Sequence, residues 1–532
     1  MQKFIEKYKD EIQGVLCGFD RLIFRGSLPR LNRGYRDVQR HVFVARGMEE
    51  YCWQNKILFK DYHDHVKQVS EQVKKQALKP FEDQKISSIY LRETKVDKDQ
   101  LARQIARDKG IQSGLVCAFG TVEPSPTFEH SGRNIIRRTR PSHVLYQYQI
   151  HPKLGWMHAR IQTWFPFHIQ IAINGREWLS QQLTQQGLAY CKHDNCFVWV
   201  EDYTQAQSLL DQQLETSWTT LLNGFASQLN PLHDGIFQRY PSPYYWTSFQ
   251  SETATDIVFR NRSFLERLMP LLVRQSVLSF SCADVMRYLG RKVNLSGAIP
   301  ARFSGILQAD LKRRTEGERI KYRMNGNAVK FYDKAYSPAG SVLRVETTIT
   351  KVEDFRVFRP KQGGDEHDLA WRSMRRGIAD IHRRAEVSQK ANQRLLQALA
   401  AVDESLRIEE LTDKIQKRSS FGGRAVRALR PWADDKLLLT AISHGEFLIN
   451  GFRNRDLQKL LFPPDAPSEM ERKRRSAAIS RRLRLLRAHG LIQKVNRTHR
   501  YLVTSQGRAI LAAVLTTAQT SVHQLNQLAK AA

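Results

Sequence analysis

The chain has 532 residues, 41 % of them hydrophobic and 10 % aromatic, which excludes a wholly disordered protein and allows three or four packed domains. Its 84 Lys and Arg against 53 Asp and Glu give a net charge of +31, pointing to a polyanionic partner that releases counterions on binding, with a merely solvated basic surface as the bland alternative. The six cysteines, Cys17, Cys52, Cys117, Cys191, Cys196 and Cys282, form no Cys-x-x-Cys and no regular framework, and neither a signal peptide nor an apolar run of membrane length is present, so a soluble cytoplasmic protein is expected.

Residues 1–110 read as mixed α/β. The stretch "GVLCGFDRLIFRGS" carries strand signal, "ISSIYLR" is a short strand, and "VDKDQLARQIARDKG" is a helix closed by Gly110. Asp20 in "GFD" imitates the first carboxylate of an RNase H-like nuclease, although one carboxylate makes no motif. Residues 111–225 alternate as strands, "GLVCAFGTVE", "HVLYQYQIH", "WMHARIQTWF", "FHIQIAI" and "CFVWVED", with helices between the last ones. This predicts an antiparallel sheet with helices on one face, the turn Pro152–Gly155 joining a hairpin. Tyr146, Tyr148, Trp156 and Trp164 either stack bases from that sheet or fill its core. "CKHDNC" holds three potential metal ligands but also reads as a hairpin. His168 and Gln170, with Tyr203 at a later helix start, sketch a rolling-circle nuclease pattern in which Gln stands where the second ligand would be His.

Residues 226–350 predict three helices and a hairpin, the winged-helix order. The helices are "NRSFLERLMPLLVRQ", "SCADVMRYLG" with Ser281 and Asp284 as a capping box, and "PARFSGILQADLKRR" opened by Pro300; the hairpin turns at Asn325-Gly326. In that register Ile320, Tyr322 and Met324 share an apolar face with Asn327, Val329 and Phe331. Arg319, Lys321 and Arg323 then share the other face with Ala328, Lys330 and Tyr332. Like charges opposed on that face favour an anion between them, so Arg319, Lys321, Arg323, Lys330 and Tyr332 are candidate nucleic-acid contacts, beside Arg302, Lys312 and Arg313 of the third helix, which would enter a groove.

"FYDK" followed by "LRVE", that is Tyr332, Asp333 and Lys334 and then Arg344, Val345 and Glu346, resembles the initiators of plasmid and filamentous-phage rolling-circle replication. The resemblance implies a tyrosine nucleophile, Tyr332, and a metal-binding carboxylate, Glu346, with Mg2+ or Mn2+ as cofactor. Glu123, Glu201, Asp202 and Asp256 are further strand-end carboxylates that a metal-dependent nuclease could gather. No phosphate-binding Gly-rich loop, nucleophile elbow or zinc-protease motif occurs.

Residues 351–430 read as a basic helical linker and 431–532 as a second winged helix, its helices starting at Asn454 and Ser468 and stopping at Gly490. Residues 471–500 hold eleven bases against the single acid Glu471. Arg474, Arg475, Arg481, Arg482, Arg484, Arg487, Lys494, Arg497 and Arg500 are the candidate contacts among them. "LRLLRAHGLIQKVNRTHRYLVTSQGRAIL" resembles winged-helix regulators of the MarR type, which implies a DNA-binding fold. The stripe Leu511, Leu515, Ala518, Val522, Leu525 and Ala529 suits a homodimer seam or packing on its own domain.

The expected fold is therefore α+β and multidomain: an antiparallel sheet with helices in the N-terminal half, and two winged helices joined by a long basic helix in the C-terminal half. The expected function is nucleic-acid binding, DNA before RNA, as an initiator or regulator of a mobile element. A metal-dependent nicking enzyme and an RNA-binding scaffold are the alternatives.

Overall fold

The structure, a computed structural model, describes residues 1–28, 45–92, 96–280, 282–291, 307–314, 317–334, 341–361, 364–365, 367–400, 408–443, 447, 451–462, 466–495 and 498–518. The chain is α+β and divides into two interleaved units. One comprises Met1–Glu11, Asn261–Asn325 and Lys390–Ala532, the other Ile12–Arg260 and Gly326–Gln389.

The strands, in chain order, are β1 (Ile12–Ser27), β2 (Ser88–Tyr90), β3 (Gly114–Ser131), β4 (Asn134–His151), β5 (Gly155–Gln162), β6 (Ile169–Asn174), β7 (Tyr190–His193), β8 (Cys196–Val200), β9 (Tyr245–Phe259), β10 (Leu307–Arg314), β11 (Gly317–Met324), β12 (Asn327–Lys334), β13 (Val342–Ile349), β14 (Arg356–Pro360) and β15 (Leu369–Ser373). The second unit is built on nine of them in the order β12-β13-β9-β1-β6-β5-β4-β3-β2. Every pairing among these is antiparallel except that of β2 with β3. The strongly apolar strand sequences explain the sheet, because both of its faces are covered. On one face Phe24, Ile161, Ile169, Ile171 and Ile173 pack with the helices Ala45–Gln54, Tyr62–Asp83 and Trp218–Leu229. On the other, Leu16 packs under the helices Gly175–Gln185 and Tyr203–Gln212, while Tyr148 and Trp156 pack under Lys98–Asp108.

Short polar side chains start these helices. Asn174 Oδ1 accepts from the amides of Arg176 and Glu177, and Asp202 Oδ1 from those of Thr204 and Gln205. Two glycines let the helices approach the sheet. A Cβ on Gly14 would enter the Tyr203 ring, and one on Gly175 would strike the Phe19 carbonyl.

Two of the four sheet aromatics, Tyr148 and Trp156, are core and cannot stack bases: both are buried, and Trp156 Nε1 donates to Asp99 Oδ1 at 2.8 Å; Tyr146 and Trp164 are half-buried. "CKHDNC" is a hairpin of β7 and β8, with Cys191 exposed and Cys196 buried.

In the other unit, residues 307–314 form strand β10, paired antiparallel with β11, and not the third helix expected at 300–314. "LQADL" fits a period of two as well as a helical stripe. The alternating strand "GERIKYRM" beside it supplies pairing that overrides helical propensity. Asn325 and Gly326 do make the expected tight turn, both with positive φ, 52° and 91°. Arg302, Pro300 and Ser281 lie outside the described residues.

Toward the C-terminus come the helices Lys436–Ile442, Asn454–Leu461, Glu469–Ala488 and Ser505–Thr517. A three-stranded sheet, Phe452–Arg453, Arg500–Val503 and Ile492–Lys494, lies among them. Ile442, Leu457, Ile479, Leu483, Leu486, Leu511 and Val514 form their common core. Ser468 caps its helix through the Glu471 amide, as expected. Asn454 does not cap its own: its amide donates to the Ser476 carbonyl and to Ser480 Oγ, and Asp456 accepts from the Arg453 amide instead. Val522, Leu525 and Ala529 of the expected dimer stripe lie outside the described residues. No described helix is long and apolar enough to cross a membrane.

Candidate metal centre and nucleic-acid surface

The centre of the sheet carries charge where an interior normally would not. Residues at every second position share a face. The pairings Tyr332↔Arg344↔Asp256 and Lys330↔Glu346↔Ala254 therefore place Lys330, Tyr332, Lys334, Arg344, Glu346, Glu252 and Asp256 on one face of β12, β13 and β9. On β1, Phe19 lies opposite Thr253 and Arg21 opposite Glu252, which leaves Asp20 as the extra residue of a β-bulge. The bulge turns Asp20 and Arg21 to the same face, where alternation alone would separate them. One ligand oxygen each from Asp20, Glu252 and Glu346 lies within 4.8 Å of the others.

A scaffold of hydrogen bonds fixes the three carboxylates. The Asn195 amide, at the β7–β8 turn, donates to both Asp20 oxygens at 3.0 and 2.9 Å, and its carbonyl oxygen accepts from Lys334 Nζ at 3.1 Å. Tyr332 OH donates to Glu346 Oε2 at 2.7 Å, and Lys330 Nζ lies 2.6 Å from Glu346 Oε1. Behind them the wholly buried Asp256 joins Arg344 and Arg176, each through an Nη2 at 2.9 Å. Arg344 also donates to the backbone carbonyl of Asn195 and lies 3.4 Å from Asp20. Removing one member of such a buried network leaves an uncompensated charge, so its members hold one another in place.

Electrostatics separate the three acids. Burial pushes Glu252 up to about 7, helped by the neighbouring Glu346. Burial likewise raises Asp20, against the pull of Arg344. Burial pushes Glu346 in the same direction, but Lys330 and Arg344 outweigh it and hold this group below its ordinary value. The Tyr332 phenol rises well above its ordinary value, first through burial and then through Glu346. The set of three carboxylates is the oxygen-rich donor set that hard divalent cations such as Mg2+ and Mn2+ prefer. Such a cation can polarise a phosphoryl oxygen and lower the pKa of a bound water.

Glu346, singled out from sequence, thus sits at the centre of the cluster with Tyr332 and Lys330 beside it. Tyr332 is 7 % exposed and contacts a carboxylate; it does not lie on an outward basic face, because Asn195 of the β7–β8 turn meets Lys334 and Arg344 on that same face. The other strand-end carboxylates serve elsewhere. Glu123 pairs with Arg160 and Tyr146, Glu201 accepts from the Ala189 amide, and Asp202 caps a helix. His168 and Tyr203 form no joint site. Burial together with Arg25 and Arg160 drives His168 down to about 3, while Tyr203 lies over Gly14. Sequence reasoning missed Glu252 and Asn195, and met Lys334 only as the end of the Tyr-x-Lys pattern. The signal for Glu252 was "ETATD", two acids four positions apart and so on one face of a strand, leading into the apolar run "IVF".

The basic C-terminal helix Glu469–Ala488 sorts its cations by role. Arg475 is 17 % exposed, bonded to Glu471 and to the Phe462 carbonyl. Arg482 and Arg487 lie over the rings of Phe462 and Phe421, at 5.5 and 4.5 Å from their centroids. Arg474 reaches Glu471 but stays 82 % exposed. Arg481, Arg484 and Lys494 are exposed, and Arg500 is half-buried in its strand. Arg319 is buried, Lys321 half-buried and Arg323 exposed on β11. Lys312 and Arg313 stand on β10 opposite Arg319 and Glu318. Arg497 lies outside the described residues. Compared with family models, curated proteins and solved structures, the chain matches none of them.

Proposed function

We propose that the protein binds nucleic acid and cuts or nicks a strand of it with Mg2+ or Mn2+ held by Asp20, Glu252 and Glu346. The observation that carries this reading is the convergence of three carboxylates from three strands, two of them buried, in a chain of net charge +31. Buried like charges at such range are costly unless a cation or a proton joins them. A bound cation would displace the proton from Glu252 and meet a phosphodiester, while Arg21, exposed on the same face, neutralises the neighbouring phosphate. Tyr332 positions Glu346. A phenol whose ionisation is suppressed by burial is a poor nucleophile; a cation held by the three carboxylates would supply the activation instead, by lowering the pKa of a water bound to it.

We read the C-terminal helices and strands as a winged helix, in which Glu469–Ala488 would enter the groove and the strands Ile492–Lys494 and Arg500–Val503 would form the wing. Its exposed Arg481 and Arg484 favour a second reading, a DNA-binding initiator or regulator of a mobile element that cuts nothing.

Incubation with supercoiled and single-stranded DNA, with and without Mg2+ or Mn2+, separates the two. Metal-dependent nicking that disappears in Glu346→Gln is expected, together with slower nicking and no covalent adduct in Tyr332→Phe. Salt-sensitive binding without cleavage in any metal would leave the binder reading, and a protein–DNA adduct lost in Tyr332→Phe would overturn the water route.

A further inference from the structure

Beyond the carboxylate cluster, strands β14 and β15 form a two-stranded antiparallel ribbon. Its inner side is anchored by Val357, buried with Ile349, Val352, Phe355 and Met374. Its outer side should be polar if it met only water. Instead Phe358 and Trp371, directly opposite one another, are 51 % and 63 % exposed, and Leu369, opposite Pro360, is 47 % exposed. The two rings lie 5.8 Å apart at 56°, so they support each other while their outer faces stay open.

Charge selects the occupant. Residues 355–361 and 369–379 hold Arg356, Arg359, Lys361, Arg372, Arg375 and Arg376 and no acid. The acids that meet these bases come from neighbouring segments: Asp380 pairs with Arg359 and Arg375, Asp368 with Arg372, and Glu353 with Arg376. An exposed aromatic pair framed by Arg and Lys fits a base stack with its phosphate backbone. Those ion pairs engage four of the six bases, and an acid-free apolar peptide would leave the remaining two, Arg356 and Lys361, unused.

Position adds a third observation. The end of the ribbon is tied to β9, the strand of Glu252. The Ser248 amide donates to the Arg376 carbonyl, and Thr247 bridges to Gly377. Two more exposed aromatics lie on that part of β9: Tyr245, 47 % exposed, and Phe249, 46 % exposed, with the Arg25 guanidinium 4.2 Å from the centre of its ring.

We propose that the β14–β15 ribbon is a stacking platform for single-stranded nucleic acid, with unpaired bases on Trp371 and Phe358 and the backbone along Arg356 and Lys361. Duplex bases are already stacked on one another and cannot use it. The proposal rests on the nucleic-acid reading but not on the metal site.

The test is fluorescence anisotropy of a labelled oligothymidylate, and of a duplex of equal length, with the full chain in chelator at moderate salt. The Phe358→Ala/Trp371→Ala double variant is expected to lose at least about tenfold in single-strand affinity and to keep its duplex affinity and thermal unfolding. Trp371→Phe should restore most of the loss. Equal single-strand affinity in the double variant would overturn the platform alone. Parallel loss of single-strand and duplex binding would overturn its single-strand character. Absence of nucleic-acid binding in the unmodified protein would overturn the platform and the nucleic-acid reading together. Concentration-dependent self-association abolished by the double variant, with strand affinity unchanged, would assign the face to a second copy and overturn the platform.

Discussion

Glu252 is the residue at which the proposed centre is most exposed to a pH test. Burial raises its pKa to about 7, and Asp20 is raised for the same reason. The folded protein therefore keeps protons that the unfolded chain releases near the ordinary carboxylate values. Stability from these two groups is fully present below those values and is lost as pH rises through their raised folded values, which for Glu252 is about 7. Without metal, the melting temperature should fall between about pH 5 and about pH 8. Glu252→Gln should flatten that fall, and Mn2+ should restore stability at the alkaline end, where the carboxylates are free to bind it. A pH profile identical in Glu252→Gln would remove the basis for this assignment. Tyr332→Phe removes one hydrogen bond to Glu346, and an effect of about 1 kcal/mol on unfolding is expected. Denaturant titration reads it.

At the scale of elements, the site depends on a bulge and a turn. The β1 bulge brings Asp20 beside Arg21, and the β7–β8 turn supplies the Asn195 amide that holds both Asp20 oxygens. Asn195→Ala leaves those oxygens buried with two fewer donors, which should cost roughly 1–3 kcal/mol in denaturant unfolding and raise the Asp20 pKa further. Gly175→Ala sets a Cβ against the Phe19 carbonyl one residue before the bulge. Backbone cannot yield as a side-chain tip can, so a loss of about 1–3 kcal/mol is expected, with weaker metal binding. Full stability in Gly175→Ala would show that the helix start is free to shift.

Element boundaries were legible wherever a local signal sufficed: the Ser468 cap, the Asn325-Gly326 turn, and the "PKLG" hairpin of β4 and β5. They failed at 307–314, where one apolar pattern serves helix and strand alike and the partner strand decides. The site was half legible. Glu346 and Tyr332 drew attention through a local pattern, and Asp20 through its "GFD". What joined Asp20 to Glu252 was sheet pairing between segments more than 200 residues apart, what joined Glu346 to them was the further pairing of β13 with β9, and the bulge at Asp20 is one that no residue type announces.

For the whole molecule, the charge of +31 implies that affinity for any nucleic acid falls steeply with salt. Raising salt from about 50 to about 200 mM should weaken binding by roughly 10^3 or more, if six or more phosphates are contacted. Arg481→Glu with Arg484→Glu should lower duplex affinity at least about tenfold and reduce the salt slope, because both side chains are exposed on the basic helix. Arg482→Glu would in addition remove a guanidinium that packs over Phe462, so its effect mixes packing with binding. Unchanged affinity in the double variant at moderate salt would take the C-terminal module out of DNA recognition.

The centre itself is tested most directly by calorimetric titration of the chelator-treated protein with Mn2+, beside Asp20→Asn and Glu346→Gln. A saturable site in the unmodified chain that both variants lose, with proton release growing as pH falls toward 7, is the predicted result. No saturable binding, or equal binding in all three proteins, would contradict a cation held by Asp20, Glu252 and Glu346.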